Sequence, residues 1–302
     1  MDCLPEASGF NNTGAICYLN SLVQALTSLS GVNKLFTSKA VPPVPNASAL
    51  FTSYKQYVND ALVGKPVMQY TGQFLNHLAA DMAVRKCQTR FGAGQEDSDE
   101  FFMLLLDMMN EPELYRLLNH KYRETIICPE CKAESIAFST CPRFQMSAGE
   151  YSKSAAIFTG WLLDHIEELT DWICPSCKKR FPKCERRYKL TTVPECVAII
   201  FTNKYQQKLP TWFPPHMEIG GKDGGILRYE ICAQVEHYGN MGGGHYVARG
   251  LRATNVKSPS AAVALADAAK PATASYLFND TSFTAADLTP TEQTYLVFYS
   301  KC

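Results

Sequence analysis

Two Cys-x-x-Cys pairs, Cys128-Pro129-Glu130-Cys131 and Cys174-Pro175-Ser176-Cys177, constrain this chain more than any other feature of its 302 residues. Each pair carries a proline inside its turn. Together they offer four soft thiolate ligands, the number a tetrahedral structural zinc takes. A redox dithiol is the competing reading, but that chemistry comes as one pair leading into a helix, not as two turn-like knuckles. The fold must therefore bring residue 128 close to residue 177. The 42 residues between Cys131 and Cys174 exceed the spacing of a compact zinc ribbon, so the knuckles are expected to cap a long two-stranded projection. Cys141 and Cys184 stand near enough to be spare ligands, and are read with Cys3, Cys87, Cys196, Cys232 and Cys302 as ordinary small apolar residues.

Twelve cysteines imply a reducing compartment, because the first residues, with Asp2, Pro5 and Glu6, show neither the basic start nor the apolar run of a leader. No uninterrupted apolar segment reaches the length of a membrane span, so no membrane partner is expected. Twenty-nine basic residues balance twenty-nine acidic ones, which argues against nucleic acid as the main partner. A hydrophobic content of 46% suits a globular chain large enough for a substantial core.

Along the chain the hydrophobic period changes once. Residues 1 to 115 read as mostly helical. Leu19, Leu22, Val23, Leu26 and Leu29 recur at helical spacing, with Gly31 as the expected stop. Val41-Pro42-Pro43-Val44-Pro45 is a connector, Leu50 to Val63 is helical again, and Phe74, Leu75, Leu78 and Met82 outline a third helix. Asp97 is placed to cap a further helix with Glu100 three residues on, its buried face being Phe101, Leu104, Leu105, Met108 and Met109. From about Tyr122 short strands take over. Tyr188 to Thr192, Cys196 to Thr202, Tyr229 to Val235, Tyr246 to Arg249, Tyr276 to Phe278 and Tyr295 to Tyr299 read as a sheet. Lys204 to Gly225 is a loop-rich connector, and the Ala-, Ser- and Lys-rich stretch from Leu251 to Ser275 is a surface insertion. A helical first half and a strand-rich second half make an α+β fold.

Cys17 follows the turn signal Asn11-Asn12-Thr13-Gly14 and opens the first helix. There the unpaired backbone N–H groups and the helix dipole favour thiolate, the nucleophilic form. A buried core cysteine would explain the same position. A nucleophilic cysteine needs a base, and the base needs a third group to fix its tautomer. His245, after Gly242-Gly243-Gly244 and before a strand, is the candidate base, with His237 its near rival. His77, His120, His165 and His216 lie in segments without a catalytic pattern. Asn279 is the orienting candidate and Asp280 the alternative, although an Asn-Asp pair by itself more often makes a turn.

Taken in order, these segments resemble the boxes of the ubiquitin-specific proteases, papain-like deubiquitinating enzymes. Gly9-Phe10-Asn11-Asn12-Thr13-Gly14-Ala15-Ile16-Cys17-Tyr18-Leu19-Asn20-Ser21 resembles the family's cysteine box, and Gln95-Glu96-Asp97-Ser98-Asp99-Glu100-Phe101 its intermediate box. Gly244-His245-Tyr246, Phe278-Asn279-Asp280 and Tyr295-Leu296-Val297-Phe298-Tyr299 resemble its histidine box, and the CxxC pairs its zinc-bearing fingers. The resemblance implies a papain-like fold with a helical thumb (1–115), zinc-bearing β fingers (116–190) and an antiparallel β palm (191–302, insertion 251–275) in one catalytic domain. It implies Cys17 as nucleophile, His245 as general base, Asn279 as its orienter, Asn12 as oxyanion donor, and Asp280 as a residue assisting the oxyanion site or the histidine. Cys128, Cys131, Cys174 and Cys177 would hold a structural zinc. Ile16 stands where the family usually has threonine, Asp99 where it often has histidine, and Ser275 where an aromatic residue commonly precedes the Asn-Asp pair.

The implied activity is hydrolysis of the peptide or isopeptide bond after ubiquitin's C-terminal Gly-Gly, with ubiquitin and ubiquitinated proteins as partners. A monomer in the cytoplasm or nucleus, or in a host's cytoplasm for a viral or pathogen protein, is expected. The alternatives are a hydrolase for a ubiquitin-like modifier and a catalytically silent ubiquitin-binding scaffold. A zinc-ribbon nucleic-acid binder is a third, and the neutral charge weighs against it.

Overall fold

A computed structural model describes residues 3–38, 49–86, 94–147, 153–202, 211–220, 225–240, 243–254 and 272–302. The Val41–Pro45 connector, Cys87, Gly242 and residues 255–271 of the Ala-rich stretch lie outside the described residues. Six helices come first: α1 (Cys17–Thr27), α2 (Ser30–Thr37), α3 (Ala49–Leu62), α4 (Tyr70–Val84), α5 (Ser98–Met109) and α6 (Pro112–Leu118). Then follow β1 (His120–Ile127), β2 (Glu134–Cys141), β3 (Phe144–Ser147), α7 (Ala155–Leu163), β4 (Asp164–Ile173), β5 (Arg180–Thr192) and β6 (Cys196–Thr202). The chain ends with β7 (His216–Gly220), β8 (Ile226–Asn240), β9 (Gly243–Ala253), β10 (Thr273–Asn279), β11 (Ser282–Ala285) and β12 (Thr294–Lys301).

Local chemistry explains several boundaries. Asp97 accepts hydrogen bonds from the Asp99 and Glu100 amides and caps α5, which ends at Asn110 in the left-handed conformation. Gly31 does not stop the first helix as expected: it lies inside α2, and the break falls at Ser28-Leu29. There Thr27 Oγ1 and Ser28 Oγ bond back to the Val23 and Gln24 carbonyls, competing with continuation of the ladder, and Leu29 turns extended.

The strands form two sheets. The larger has eight strands in the order β11-β10-β9-β8-β12-β6-β3, with β7 on β8. Its pairings are antiparallel except β3 with β6. β6 and β12 are buried on both faces. One face, with Ala198, Ile200, Val235, Leu296 and Phe298, packs on α1 and α5; the other, with Val197, Ile199, Val297 and Tyr299, is covered by Phe158 and Leu162 of α7. On the first face each large apolar side chain removed from water contributes about 1.5–3 kcal/mol, which fixes α1 against the sheet.

The second sheet carries the knuckles and has four strands, β2-β1-β5-β4, where two were expected. The stretch 116–190 is also not one projection, because β3 and α7 leave it to join the large sheet and its outer core. The tips of the proposed insertion are strand: Leu251–Ala253 end β9 and Thr273–Ser275 begin β10, with Thr273 opposite Ala253. The Lys204–Gly225 connector includes β7.

Candidate active site

Cys17 is the first residue of α1, a helix buried along its whole length. The preceding loop is shaped by Asn12, whose Oδ1 accepts from the Gly14 amide at 3.1 Å and the Ile16 amide at 3.4 Å. The backbone N–H groups of Tyr246, Tyr18 and Cys17 itself act on the sulfur and lower its pKa. Burial is the larger effect, and Asp280's charge adds to it, so the thiol's pKa lies above its ordinary value. The helix terminus alone was expected to favour the thiolate; here desolvation outweighs it.

His245 stands on β9, next to Tyr246, whose amide reaches the Cys17 sulfur. Its Nε2 lies 2.7 Å from Asn279 Oδ1 at the end of β10. His237 lies inside β8, is buried, and packs its ring 4.6 Å from that of Tyr246. Gly244 sits directly above it: a Cβ there would come within 2.4 Å of His237 Nε2 and 2.3 Å of the Tyr238 carbonyl. The glycine before His245 is thus required by close packing.

Asp280 faces the Cys17 loop and the first turn of α1. It has φ +48°. Its carbonyl accepts from the Phe10 amide at 2.8 Å, and its carboxylate accepts from Asn20 Nδ2 at 2.6 Å and Asn12 Nδ2 at 2.9 Å. Gly9 completes the contact, since a Cβ there would lie 2.3 Å from the Thr281 carbonyl.

Two participants were not singled out from sequence. Asn20 is three residues after Cys17, hence on the same helix face, and that spacing was the available signal. Gln95 precedes α5: its Oε1 accepts from the Gly244 amide at 2.8 Å, its Nε2 donates to the Gly244 carbonyl, and the same Nε2 lies 4.0 Å from Cys17 Sγ. Asp99, buried, forms an ion pair with Arg143 just before β3. Burial pushes its carboxyl up against the opposing pull of Arg143.

At the far end of the four-stranded sheet the sulfurs of Cys128, Cys131, Cys174 and Cys177 lie within 4.8 Å of one another. Cys128 and Cys177 are 3.8 Å apart, and Cys131 and Cys174 3.7 Å. Four sulfurs at ~2.3 Å from a tetrahedral zinc would be roughly 3.8 Å apart, so the donor set fits that ion in chemistry and spacing. The knuckles repeat one backbone pattern. Lys132 N bonds Cys128 O at 3.1 Å and Lys178 N bonds Cys174 O at 3.0 Å, with both lysines left-handed. Cys141, opposite His120 at the other end of β1, and Cys184, opposite Leu169, stand outside the cluster.

A family model described as "Ubiquitin carboxyl-terminal hydrolase" matches residues 8–299. Ubiquitin carboxyl-terminal hydrolase 19 of Rattus norvegicus is 25% identical over 179 residues, covering 59% of this chain and 12% of the relative. Ubiquitin carboxyl-terminal hydrolase 36 of Drosophila mojavensis is 22% identical over 289 residues, covering 81% of this chain and 23% of the relative. The chain thus spans less than a quarter of the length of either. The SAGA Ubp8/Sgf11/Sus1/Sgf73 DUB module bound to ubiquitin aldehyde shares the fold at a TM-score of 0.70 and 15% identity, covering 100% of this chain and 71% of that one. No helix among the described residues is long and apolar enough to cross a membrane. Matched by its model over nearly its entire length, the chain belongs to the ubiquitin carboxyl-terminal hydrolase family.

Proposed function

We propose that the chain is a thiol protease that hydrolyses the peptide or isopeptide bond after the C-terminal Gly-Gly of ubiquitin, with Cys17 as nucleophile, His245 as general base and Asn279 as its orienter. The observation that supports this most is the 2.7 Å His245–Asn279 contact on strands beside the N-terminus of α1, with the neighbouring Tyr246 amide at the Cys17 sulfur. In this reading His245 takes the thiol proton, and the thiolate attacks the terminal glycine carbonyl. The tetrahedral oxyanion meets the Cys17 N–H and Asn12 Nδ2, each donor contributing about 3 kcal/mol in comparable acyl-transfer sites. His245 returns the proton to the leaving amine, and water then resolves the thioester.

The four clustered cysteines would hold a structural zinc that ties the β1–β2 and β4–β5 turns together, away from the chemistry. The test is incubation with ubiquitin carrying a thiol-reactive C-terminus, followed by mass mapping. One adduct on Cys17, absent in Cys17→Ala, is expected. Binding without an adduct or turnover would identify a silent scaffold, and preferential reaction with another modifier in a panel would reassign the substrate.

A further inference from the structure

Arg252, near the end of β9, is the largest fully buried side chain among the described residues, with 1% of its surface exposed. Its hydrogen-bond partners are all neutral. Nη1 donates to Ser28 Oγ at 2.7 Å and to the Leu251 carbonyl at 2.7 Å; Nη2 donates to the Gln24 carbonyl at 3.0 Å and to Gln24 Oε1. Cζ lies 4.4 Å from the centre of the Phe278 ring. Burial pulls the guanidinium down to about 10, the cost of a desolvated cation. A methionine would fill this volume without that cost, so space filling alone does not account for the residue.

The location of the partners supplies the reason. Gln24 and Ser28 are at the C-terminal end of α1, the helix that begins with Cys17, and carbonyls there attract a cation. Arg252 itself is on β9 with His245, and Phe278 immediately precedes Asn279. The planar fork thus engages two groups of Gln24 and one of Ser28 while its face covers β10. The network continues through Gln24 Nε2, which donates to the Ser8 carbonyl at 2.7 Å, just before the Gly9–Phe10 segment that holds Asp280. β9 is also pressed onto α1 here, because a Cβ on Gly250 would come within 2.1 Å of Ser28 Oγ.

We infer that Arg252 is a positioning residue for the Cys17–His245–Asn279 centre, a buried cation that fixes α1, β9 and β10 relative to one another; this rests on the function proposed above. Arg252 lies seven strand steps beyond His245, ~23 Å at ~3.3 Å per residue, so a tilt of ~3° would move the imidazole by ~1 Å. A misplacement of that size costs about 10²-fold in rate.

The test compares Arg252→Met, which keeps volume without charge, and Arg252→Lys, which keeps charge without the fork. Thermal midpoint, kcat, KM and the pH profile of Cys17 alkylation by iodoacetamide are measured on each. Expected for folded protein are a kcat loss of about 10²-fold in both, KM within about twofold, and an alkylation profile shifted toward that of His245→Ala. A folded variant with unchanged kcat and unchanged profile, or a loss that follows the unfolded fraction alone, would overturn the assignment. Gln24→Met and Ser28→Ala remove single partners and carry the same expectations, at smaller amplitude, should the Arg252 variants not fold. If the wild type leaves ubiquitin untouched the functional reading fails, while the alkylation profile still decides the role of Arg252.

Discussion

His245 faces Asn279 with Nε2, at 2.7 Å from Oδ1. A carbonyl oxygen only accepts, so Nε2 carries the proton and the Nδ1 lone pair is left for the thiol. Asn279→Ala removes this selection of tautomer. It is expected to lower kcat by about 10²-fold on a fluorogenic ubiquitin substrate, within the range of general-base contributions, while KM changes little. Asn279→Asp retains the acceptor and is expected to stay within about tenfold of wild type. A change confined to KM would place Asn279 in binding instead.

The raised pKa of Cys17 predicts its pH behaviour without substrate. The sulfur is held as thiol by burial, then by the charge of Asp280, despite three backbone N–H groups. Alkylation by iodoacetamide, which reports thiolate, should therefore keep rising with pH beyond the midpoint of an ordinary thiol. A rate that has already levelled off near neutrality would contradict this balance.

Gln95 makes two hydrogen bonds to one residue, Gly244, and places the same amide near the sulfur. Two neutral hydrogen bonds of about 1 kcal/mol each hold this cover in place. Gln95→Ala should speed alkylation of Cys17 at fixed pH by up to roughly 30-fold, the factor that about 2 kcal/mol represents, with the shape of the pH profile preserved. An unchanged rate would show that the amide does not limit access.

Features written in local chemistry were legible in the sequence. Asp97 as a helix cap is a matter of adjacent residues, and the apolar run Cys196–Thr202 gave a strand with those bounds. The glycine run before His245 and the Asn279-Asp280 pair are weak signals one by one, and it was their order alongside the cysteine and intermediate boxes that singled these residues out. What escaped depends on distant partners. β3 pairs in parallel with β6, more than 50 positions away, and α7 passes into β4 with no glycine or proline between them. Gln95 meets Gly244 across 149 positions and Arg252 meets Gln24 across 228, separations on which no local period reports. The Cys17 titration was misjudged for a related reason, since burial is a property of the packed fold.

The knuckles predict a metal effect separable from catalysis. Cys174 belongs to both Cys-x-x-Cys geometry and the close sulfur pair with Cys131. Cys174→Ser should lower zinc content measured by mass spectrometry from about one per chain, and loosen amide protection at the end of β4 and the start of β5. Alkylation of Cys17 should be unaffected. Purified protein without zinc, and insensitive to a chelator, would rule the metal out.

His120 predicts how stability depends on pH. Its ring is buried where β1 begins, stacked on Phe144 with centroids 3.7 Å apart and edge-on to Tyr122. Burial, helped by His165 and Arg143, lowers its pKa to about 3. In the unfolded chain an imidazole titrates near 6.5. Above that pH both states are neutral and His120 adds no pH dependence; below it the unfolded chain binds a proton that the folded chain refuses, so stability falls as pH drops toward 3. The loss is at most about 1.4 kcal/mol per pH unit, on the order of 2–3 kcal/mol by pH 4.5. His120→Phe keeps the stack and removes the titration. Urea unfolding of both proteins between pH 7 and 4.5 should therefore show the variant gaining on wild type as pH falls, and parallel curves would mean that His120 is protonated in the folded protein.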